Sequence, residues 1–186
     1  CPRGLEAALA DELARLGAAG IAPVDGGAGF EGPLELACAV NLESRLASRA
    51  LWKVGGGTYR DERELNALAR AIPWPKHFRA DRTIRVDVAA TRSPLKSLEF
   101  ATLTVKDAVC DRFRDELGKR PSVDKRAPDV RVHAYLAGRE ATFYLDTSGE
   151  PLFKRGWRRD TEEAPLRENL AAGLIALSGW RPGTAF

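Results

Sequence analysis

The sequence contains no methionine, two histidines and three cysteines in 186 residues. Cys1, Cys38 and Cys110 are an odd number at wide spacing, which is unlike a disulfide framework or a zinc site and is typical of a reducing cytoplasm. No apolar run approaches the ~18 residues of a membrane span, and no charged-then-apolar leader opens the printed residues. These absences predict a cytoplasmic protein with no membrane partner.

Residues of the kind that build active sites are equally scarce. His77 is predicted in a loop and His133 on a strand, and neither has a cysteine or carboxylate at metal-ligand spacing. Ser148 lacks the Gly-x-Ser-x-Gly context of a hydrolase nucleophile. The triplet 55–57 lacks the Lys-Ser/Thr that follows a phosphate-binding loop, so we interpret it as a strand terminator. The sequence therefore predicts no catalytic residue and no metal site in this chain.

What the sequence does contain is a globular composition with unevenly distributed charge. Its residues are 44% hydrophobic and its net charge is +3. Residues 1–78 sum to −1 and residues 79–186 to +4. A chain of this length holds one ordinary domain or two small ones. Because it begins with Cys-Pro and ends on an apolar run, we expect both ends to be cut points.

Periodicity in the first part of the chain predicts a mixed α and β unit. Leucines at helical spacing predict a helix that ends at Gly17, and a tight turn joins two strands over 21–24 and 28–31. A second helix starts at Pro33, and a strand over 50–54 follows. With a first strand added, this is the order of a ferredoxin-like fold. The second helix is predicted to bury one stripe, made of Leu34, Cys38, Leu42 and Leu46.

The rest of the chain carries longer elements of both kinds, so the fold class is α+β. The last helix is predicted to begin at Ala164 and to bury Leu166, Leu170, Leu174 and Leu177. The elements before it are a helix capped by Asp61, a strand over 83–89, a helix over 94–117 that buries Leu98 and Leu117, a hairpin that turns at Ala137-Gly138, and a strand over 152–157.

Basic residues concentrate in two stretches of the second half. One runs from Arg92 to Arg131, and the other, 154–159, holds four cations and Trp157 without an acid. Cations neutralise phosphates and aromatic rings stack on unpaired bases, so both stretches are candidate RNA surfaces. Over 92–126, nine basic side chains accompany six acidic ones. Ordinary surface ion pairs are therefore an open alternative for the long helix.

Motifs spread over the whole chain carry a family resemblance. They include Asn41-Leu42-Glu43-Ser44-Arg45, Val105-Lys106-Asp107, Ala127-Pro128-Asp129-Val130-Arg131, Leu145-Asp146-Thr147-Ser148-Gly149, Leu152-Phe153-Lys154-Arg155-Gly156-Trp157 and Arg167-Glu168-Asn169. In order and spacing they resemble the N-terminal region of bacterial THUMP-containing 23S rRNA methyltransferases. The resemblance implies that the parent enzyme methylates the N2 amine of a guanine. Older names for members of this family describe them as N6-adenine-specific DNA methylases.

The resemblance implies a three-part layout. Residues 1–57 would form a ferredoxin-like domain that lacks its first strand, and residues 58–147 a THUMP domain. Residues 148–186 would be a linker and the first helix of a Rossmann-like methyltransferase domain. The family's glycine-rich S-adenosylmethionine motif and catalytic motif would lie beyond Phe186. The parent enzyme is thus expected to use S-adenosylmethionine, whereas this part is expected to bind no cofactor.

The resulting functional hypothesis is that the chain docks an rRNA methyltransferase on structured RNA, with large-subunit rRNA and its own catalytic domain as partners. Lys106 and the 127–131 segment match the THUMP pattern, although each is also compatible with a purely structural role. A rival hypothesis is a domain-positioning module whose parent makes its RNA contacts elsewhere, and a third, an enzyme in its own right, requires cofactor binding. The candidate RNA contacts are Arg92, Lys96, Lys106, Arg120, Lys125, Arg126, Arg131, Lys154, Arg155 and Arg158.

Overall fold

The computed structural model describes residues 1–156 and 165–184. The chain divides into two compact units. The first unit comprises Cys1–Ala50 and Thr147–Phe186, and the second comprises Leu51–Asp146. Each is described separately below.

The elements follow one another in the order expected of an α+β chain. The helices are α1 (Glu6–Arg15), α2 (Leu34–Glu43), α3 (Glu62–Ala71), α4 (Leu98–Leu117) and α5 (Glu168–Ser178), with a short 3-10 turn at Trp74–Lys76. The strands are β1 (Ala19–Val24), β2 (Gly27–Glu31), β3 (Leu51–Thr58), β4 (Ile84–Thr91), β5 (Val130–Ala137) and β6 (Glu140–Asp146).

In the first unit, α1 and α2 pack beside the antiparallel hairpin β1–β2. The helix predicted from the leucine spacing is confirmed as α1, and the hairpin predicted from the Asp25-Gly26 turn is confirmed as β1–β2. Leu9 and Leu13 of α1 meet Leu36 and Val40 of α2 in a small core. This unit is held together by few large side chains.

The predicted buried stripe of α2 is wrong. Leu34 and Leu42 are 57% and 74% exposed, and Cys38 is also exposed. The buried face of the helix consists of Leu36, Ala37 and Val40 instead. Of the predicted stripe only Leu46, which lies beyond the end of α2, is buried. Because α2 is apolar on most sides, periodicity alone does not identify which face meets the core.

The C-terminal part of the first unit also departs from prediction. Residues 152–156 form turns and bends instead of the predicted strand, and Trp157 lies outside the described residues. The last helix, α5, begins at Glu168, and it buries Asn169 and Gly173 while Leu174 and Leu177 are exposed. A Cβ on Gly173 would lie 2.2 Å from Leu5 Cδ1, so α5 packs through its smallest residue.

The second unit is a four-stranded sheet in the order β3-β6-β5-β4 with helices on one face. β4 and β5 run parallel, whereas β6 is antiparallel to both of its neighbours. Inward residues of the strands, among them Val132, Leu136 and Phe143, pack with α3 and α4 in one apolar core. The opposite face carries the alternate residues of each strand.

The glycine triplet does not end β3, so the prediction of a terminator is wrong. The strand continues to Thr58 and pairs with β6. A Cβ on Gly55 would lie 2.8 Å from Ile72 Cγ1, and one on Gly57 would lie 2.8 Å from Leu68 Cδ2. The triplet therefore lets α3 approach the backbone of β3. Since β3 belongs to the sheet of the second unit, it does not complete the ferredoxin-like part as its sequence position suggested.

The long helix α4 is shorter than predicted at its start. Ser97 is the N-cap residue, since its Oγ accepts a hydrogen bond from Phe100 N at 3.2 Å, and Gly118 ends the helix with φ +67°. Leu98 and Leu117, predicted to face inward, are 44% and 51% exposed. Among the described residues, no helix is long and apolar enough to cross a membrane.

Candidate nucleic-acid interface

The basic stretch from Arg92 to Arg131 does not form one patch. Arg92 and Lys96 precede α4, at the carboxyl ends of the parallel strands, whereas Arg120 follows α4. A helix of the 20 residues of α4 is about 30 Å long. The structure therefore divides the predicted RNA contacts between the two ends of the second unit.

One group lies in the loop 118–129, which joins α4 to β5. Arg120, Lys125 and Arg126 are exposed there, and their side chains have no ion-pair partner within the described part of the chain. Lys119 beside them is exposed as well and was not among the predicted contacts. We call Arg120, Lys125 and Arg126 the loop cations.

The carboxylates of this loop accept hydrogen bonds from backbone N–H groups. Asp124 Oδ1 accepts hydrogen bonds from Arg126 N at 2.8 Å and Ala127 N at 3.1 Å, and these bonds lower the pKa of Asp124. Asp129 Oδ2 accepts from Thr83 N at 2.8 Å and from the Thr83 hydroxyl at 3.0 Å. The Pro128-Asp129 pair thus shapes the entry into β5, and neither carboxylate forms an ion pair with a loop cation within the described residues.

The hydrogen bonds from Thr83 lower the pKa of Asp129, with a smaller contribution from Arg82. A carboxylate with a lowered pKa stabilises the fold above its unfolded pKa, and that contribution disappears as the pH falls through the lowered value. Asp129→Asn is therefore expected to be less stable than the parent chain at neutral pH. The difference should shrink on acidification below the ordinary carboxyl range of about 4.

Urea unfolding midpoints measured over this pH range check the expectation. The exposed Asp11 is the matched control, and Asp11→Asn should follow the parent chain at every pH. A difference between Asp129→Asn and the parent chain that stays constant down to acidic pH would contradict the proposed role of the carboxylate.

At the other end of the sheet, Tyr59 ties three loops together. Its ring is fully buried, and its hydroxyl lies 2.8 Å from Ser93 Oγ and donates to Gly138 O at 3.0 Å. Gly138 N in turn donates to Thr91 O at 2.8 Å. Arg92 follows directly and has φ +56°, the one described non-glycine residue with positive φ. The segment that carries Arg92 is thus anchored by hydrogen bonds at Thr91 and at Ser93.

The remaining predicted contacts occupy separate positions. Lys106 pairs with Asp107 at 2.5 Å on the middle of α4. Arg131 is half-buried on the sheet face opposite the helices, beside Arg85 of β4 in the register. Lys154 in the first unit is exposed and lies 3.5 Å from Glu150. Within the second unit, Lys106 joins neither the loop cations nor Arg92. Arg131 lies beside the loop, because its register neighbour Arg85 donates from Nη1 to Lys125 O at 3.1 Å.

Arg155 bonds to the backbone of its own unit. Its Nη2 donates to Asn41 O at 3.0 Å and to Ser44 O at 2.7 Å, its Nη1 donates to Leu42 O, and its Nε donates to Leu152 O at 3.0 Å. The carbonyls of Asn41, Leu42 and Ser44 lie at the C-terminal end of α2, whereas Leu152 lies three residues before Arg155. Arg158, the last predicted contact, lies outside the described residues.

His133 lies on the helix-free face of the sheet with a carboxylate that its sequence spacing does not suggest. Its Nε2 is 3.6 Å from Asp146 Oδ2, and the Asp146 side chain is fully buried. The strands β5 and β6 bring the two residues together through their antiparallel register. No group of three His, Cys, Asp or Glu side chains within the described residues could hold a metal ion.

Sequence reasoning missed two aromatic residues of this unit, Tyr59 and Tyr135. Tyr59 could not be recognised because its partners lie in distant loops. Tyr135 left a signal, since it alternates with the buried Ala134 and Leu136 and therefore faces away from the helices. It is 43% exposed.

Comparison with known families covers nearly the whole sequence. Residues 1–51 match the family described as RlmL ferredoxin-like domain, and residues 59–146 match the THUMP domain. Residues 155–186 match the family described as RMKL-like, methyltransferase domain. The predicted fold class, a ferredoxin-like domain followed by a THUMP domain and the start of a methyltransferase domain, is confirmed.

Individual proteins agree with these matches. The chain is 44% identical over 179 residues to the ribosomal RNA large subunit methyltransferase K/L of Syntrophotalea carbinolica, covering 96% of this chain and 25% of that protein. Among solved structures, a protein described as a predicted N6-adenine-specific DNA methylase from Listeria monocytogenes aligns with a TM-score of 0.86 at 30% identity, covering 97% of this chain and 47% of that one.

A second solved structure, the methyltransferase SMU.472 complexed with SAH, aligns with a TM-score of 0.83 at 27% identity, covering 99% of this chain and 48% of that one. The chain spans about a quarter of the length of the curated relatives it matches.

Proposed function

The chain combines an RlmL-type ferredoxin-like domain, a THUMP domain and the start of an RMKL-like methyltransferase domain, and from this premise we propose that it binds RNA for a methyltransferase. The whole protein would methylate the N2 amine of a guanine in large-subunit rRNA. The names of the relatives support rRNA as the substrate. In the cell, this activity belongs to the cytoplasm, where ribosomal RNA is processed.

The observation that carries the proposal is the set of loop cations. Arg120, Lys125 and Arg126 are exposed at one end of the THUMP domain, while Asp124 and Asp129 accept hydrogen bonds from the backbone. Cations without a paired carboxylate can exchange their counterions for RNA phosphates, and the released counterions favour binding. These three side chains are therefore the proposed phosphate contacts.

S-adenosylmethionine would serve the whole protein, as the complex of the relative SMU.472 with SAH suggests. The described residues of this chain do not fit the cofactor. The glycine triplet 55–57 is the strongest candidate for a cofactor loop, and Cβ positions there meet Ile72, Leu68 and the Ala141 carbonyl. These contacts assign the triplet to the close packing of β3 with its neighbours and not to a cofactor loop, so the proposed role of this chain is RNA binding without methyl transfer.

The test is a titration of the chain into a hairpin from large-subunit rRNA at two salt concentrations. The double variant Lys125→Gln/Arg126→Gln should bind more weakly, and the slope of log K against log salt should fall by about 0.7–0.9 for each lost phosphate contact. The matched control is Arg15→Gln/Arg45→Gln, which neutralises two exposed arginines of the first unit. Absence of RNA binding at low salt, or equal losses in the two double variants, would overturn the proposal.

A second function, domain positioning, is favoured by a polar network in the first unit. Asn41 Nδ2 donates to Thr147 Oγ1 at 2.8 Å, and the Ser148 hydroxyl donates to Asn41 Oδ1 at 2.6 Å. The buried Asn169 of α5 donates to Ser48 Oγ at 3.0 Å. The bonds of Asn41 hold α2 to the segment after β6, and the bond of Asn169 holds the lead-in helix α5 to the segment after α2. The two functions are compatible, because they use different units.

A further inference from the structure

The face of the THUMP sheet that lies opposite the helices carries the partly exposed ring of Tyr135, which we call the aromatic platform. Tyr135 on β5 lies directly across from Ala89 on β4 and Thr142 on β6. Its hydroxyl lies 3.1 Å from Thr91 Oγ1, two residues beyond Ala89 on the same strand. The ring therefore extends over the small side chain of Ala89, along the sheet, and it is 43% exposed.

The surroundings of the ring leave room for a planar ligand. On the same face, the larger His133 and Tyr144 lie on the side of Tyr135 that is away from Thr91. Directly across the neighbouring strands lie Ala89, Thr142 and, one strand further, Gly56 across from Thr142. Ala89 and Gly56 are themselves exposed. None of these side chains is large enough to cover the ring, and the hydrogen bond to Thr91 restricts its orientation.

Positive charge lies at the edge of this platform. Arg92 follows Thr91 directly, is exposed, and has no ion-pair partner within the described residues, and the same is true of Lys96. The exposed carboxylate of Glu140 lies on β6, away from β4. This distribution favours a polyanion that passes along the β4 side of the ring.

The backbone of Arg92 adds an independent observation. A φ of +56° is unfavourable for arginine and would suit glycine better. The buried Tyr59 hydroxyl, bonded to Ser93 and Gly138, holds the chain in this conformation. Residues kept in strained conformations by their surroundings concentrate at functional sites, which supports a ligand-binding role for Arg92.

From these observations we propose that Tyr135 stacks on an unpaired RNA base while Arg92 and Lys96 bind the adjacent phosphates. The inference rests on the proposed RNA-binding function and specifies its ligand as a single-stranded segment. A tyrosine face accepts any base, so the site would recognise the unpaired state more than the sequence. The loop cations lie at the other end of α4 and would contact a separate part of the same RNA.

The experiment compares a short unstructured oligoribonucleotide with the blunt-ended duplex formed with its complement, by fluorescence anisotropy at fixed salt. Tyr135→Ala should lower the affinity for the single strand about tenfold or more and leave the duplex affinity unchanged. Tyr135→Phe retains the ring and should bind the single strand almost as the parent chain does. Circular dichroism and the urea midpoint check that both variants fold.

Arg92 provides a second readout that a structural role would not produce. Arg92→Gly should weaken single-strand binding while the thermal midpoint stays equal or rises, since glycine tolerates the positive φ. Arg92→Lys should retain most of the affinity.

Unchanged single-strand binding in both Tyr135→Ala and Arg92→Gly, with RNA binding otherwise intact, would overturn this inference and leave the proposed function standing. Failure of the parent chain to bind either RNA would overturn both.

Discussion

Replacement of Arg155 by alanine is expected to lower the free energy of unfolding of the first unit by about 2–3 kcal/mol. The helix α2 ends at Ser44 in an extended conformation, without a glycine cap. The carbonyls of its last turn therefore have no intrahelical partners, and the Arg155 guanidinium supplies donors to Asn41, Leu42 and Ser44. Its positive charge also interacts favourably with the partial negative charge at the C-terminal end of the α2 dipole.

Urea unfolding and amide hydrogen exchange of α2 measure this effect. The neighbouring Lys154 is the matched control, because it is exposed and only pairs loosely with Glu150, and Lys154→Ala should change stability by less than about 1 kcal/mol. Arg155→Lys should recover little of the lost stability. A planar guanidinium can donate to several carbonyls at once, whereas the compact ammonium of lysine cannot. Equal stability of Arg155→Ala and Lys154→Ala would show that the capping bonds contribute nothing.

Gly56→Ala is expected to destabilise the second unit by about 2–3 kcal/mol. The added Cβ would lie 2.6 Å from the Ala141 carbonyl oxygen, which is backbone of the paired strand β6 and cannot rotate away. The β3–β6 pairing would have to shift to accommodate it. The substitutions at Gly55 and Gly57 meet ends of flexible side chains, so they should cost less.

Gly29→Ala in β2 is the control for this substitution, because its nearest atom, Ala22 O, would lie 3.8 Å from the new Cβ. Thermal unfolding monitored by circular dichroism should show a lowered transition for Gly56→Ala alone. An unchanged transition would mean that β3 is not held against β6 at Gly56 as closely as the structure describes.

The contrast between Arg155 and the loop cations shows what the distribution of charge along the sequence can and cannot predict about the role of a basic residue. Both lie in basic stretches of the sequence, and nothing in the composition separates a proposed phosphate contact from a helix cap. The separation depends on which acceptors lie nearby. Arg155 reaches carbonyls of α2 more than 100 positions away in sequence, whereas Lys125 and Arg126 are exposed.

The order and kind of most elements followed from the sequence, because periodicity, caps and turns are local properties. Asp61 caps α3 through Glu64 N, as its position before a helical pattern predicts. The strands of the hairpin β5–β6 alternate in burial as their residues alternate in polarity. The predicted strand over 152–157 was wrong for its described part, since residues 152–156 pair with no strand that the structure describes.

The sequence by itself determined the α+β class, the family resemblance and the concentration of positive charge in the second half. Only the tertiary structure decided which face of α2 is buried, which sheet receives β3, and which basic side chains are bonded to backbone carbonyls and which are exposed. The physical reason is that these outcomes depend on contacts between residues far apart in the chain. The hydrogen bonds of Tyr59 with Ser93 and Gly138, for example, form only when three segments that are distant in the sequence come together.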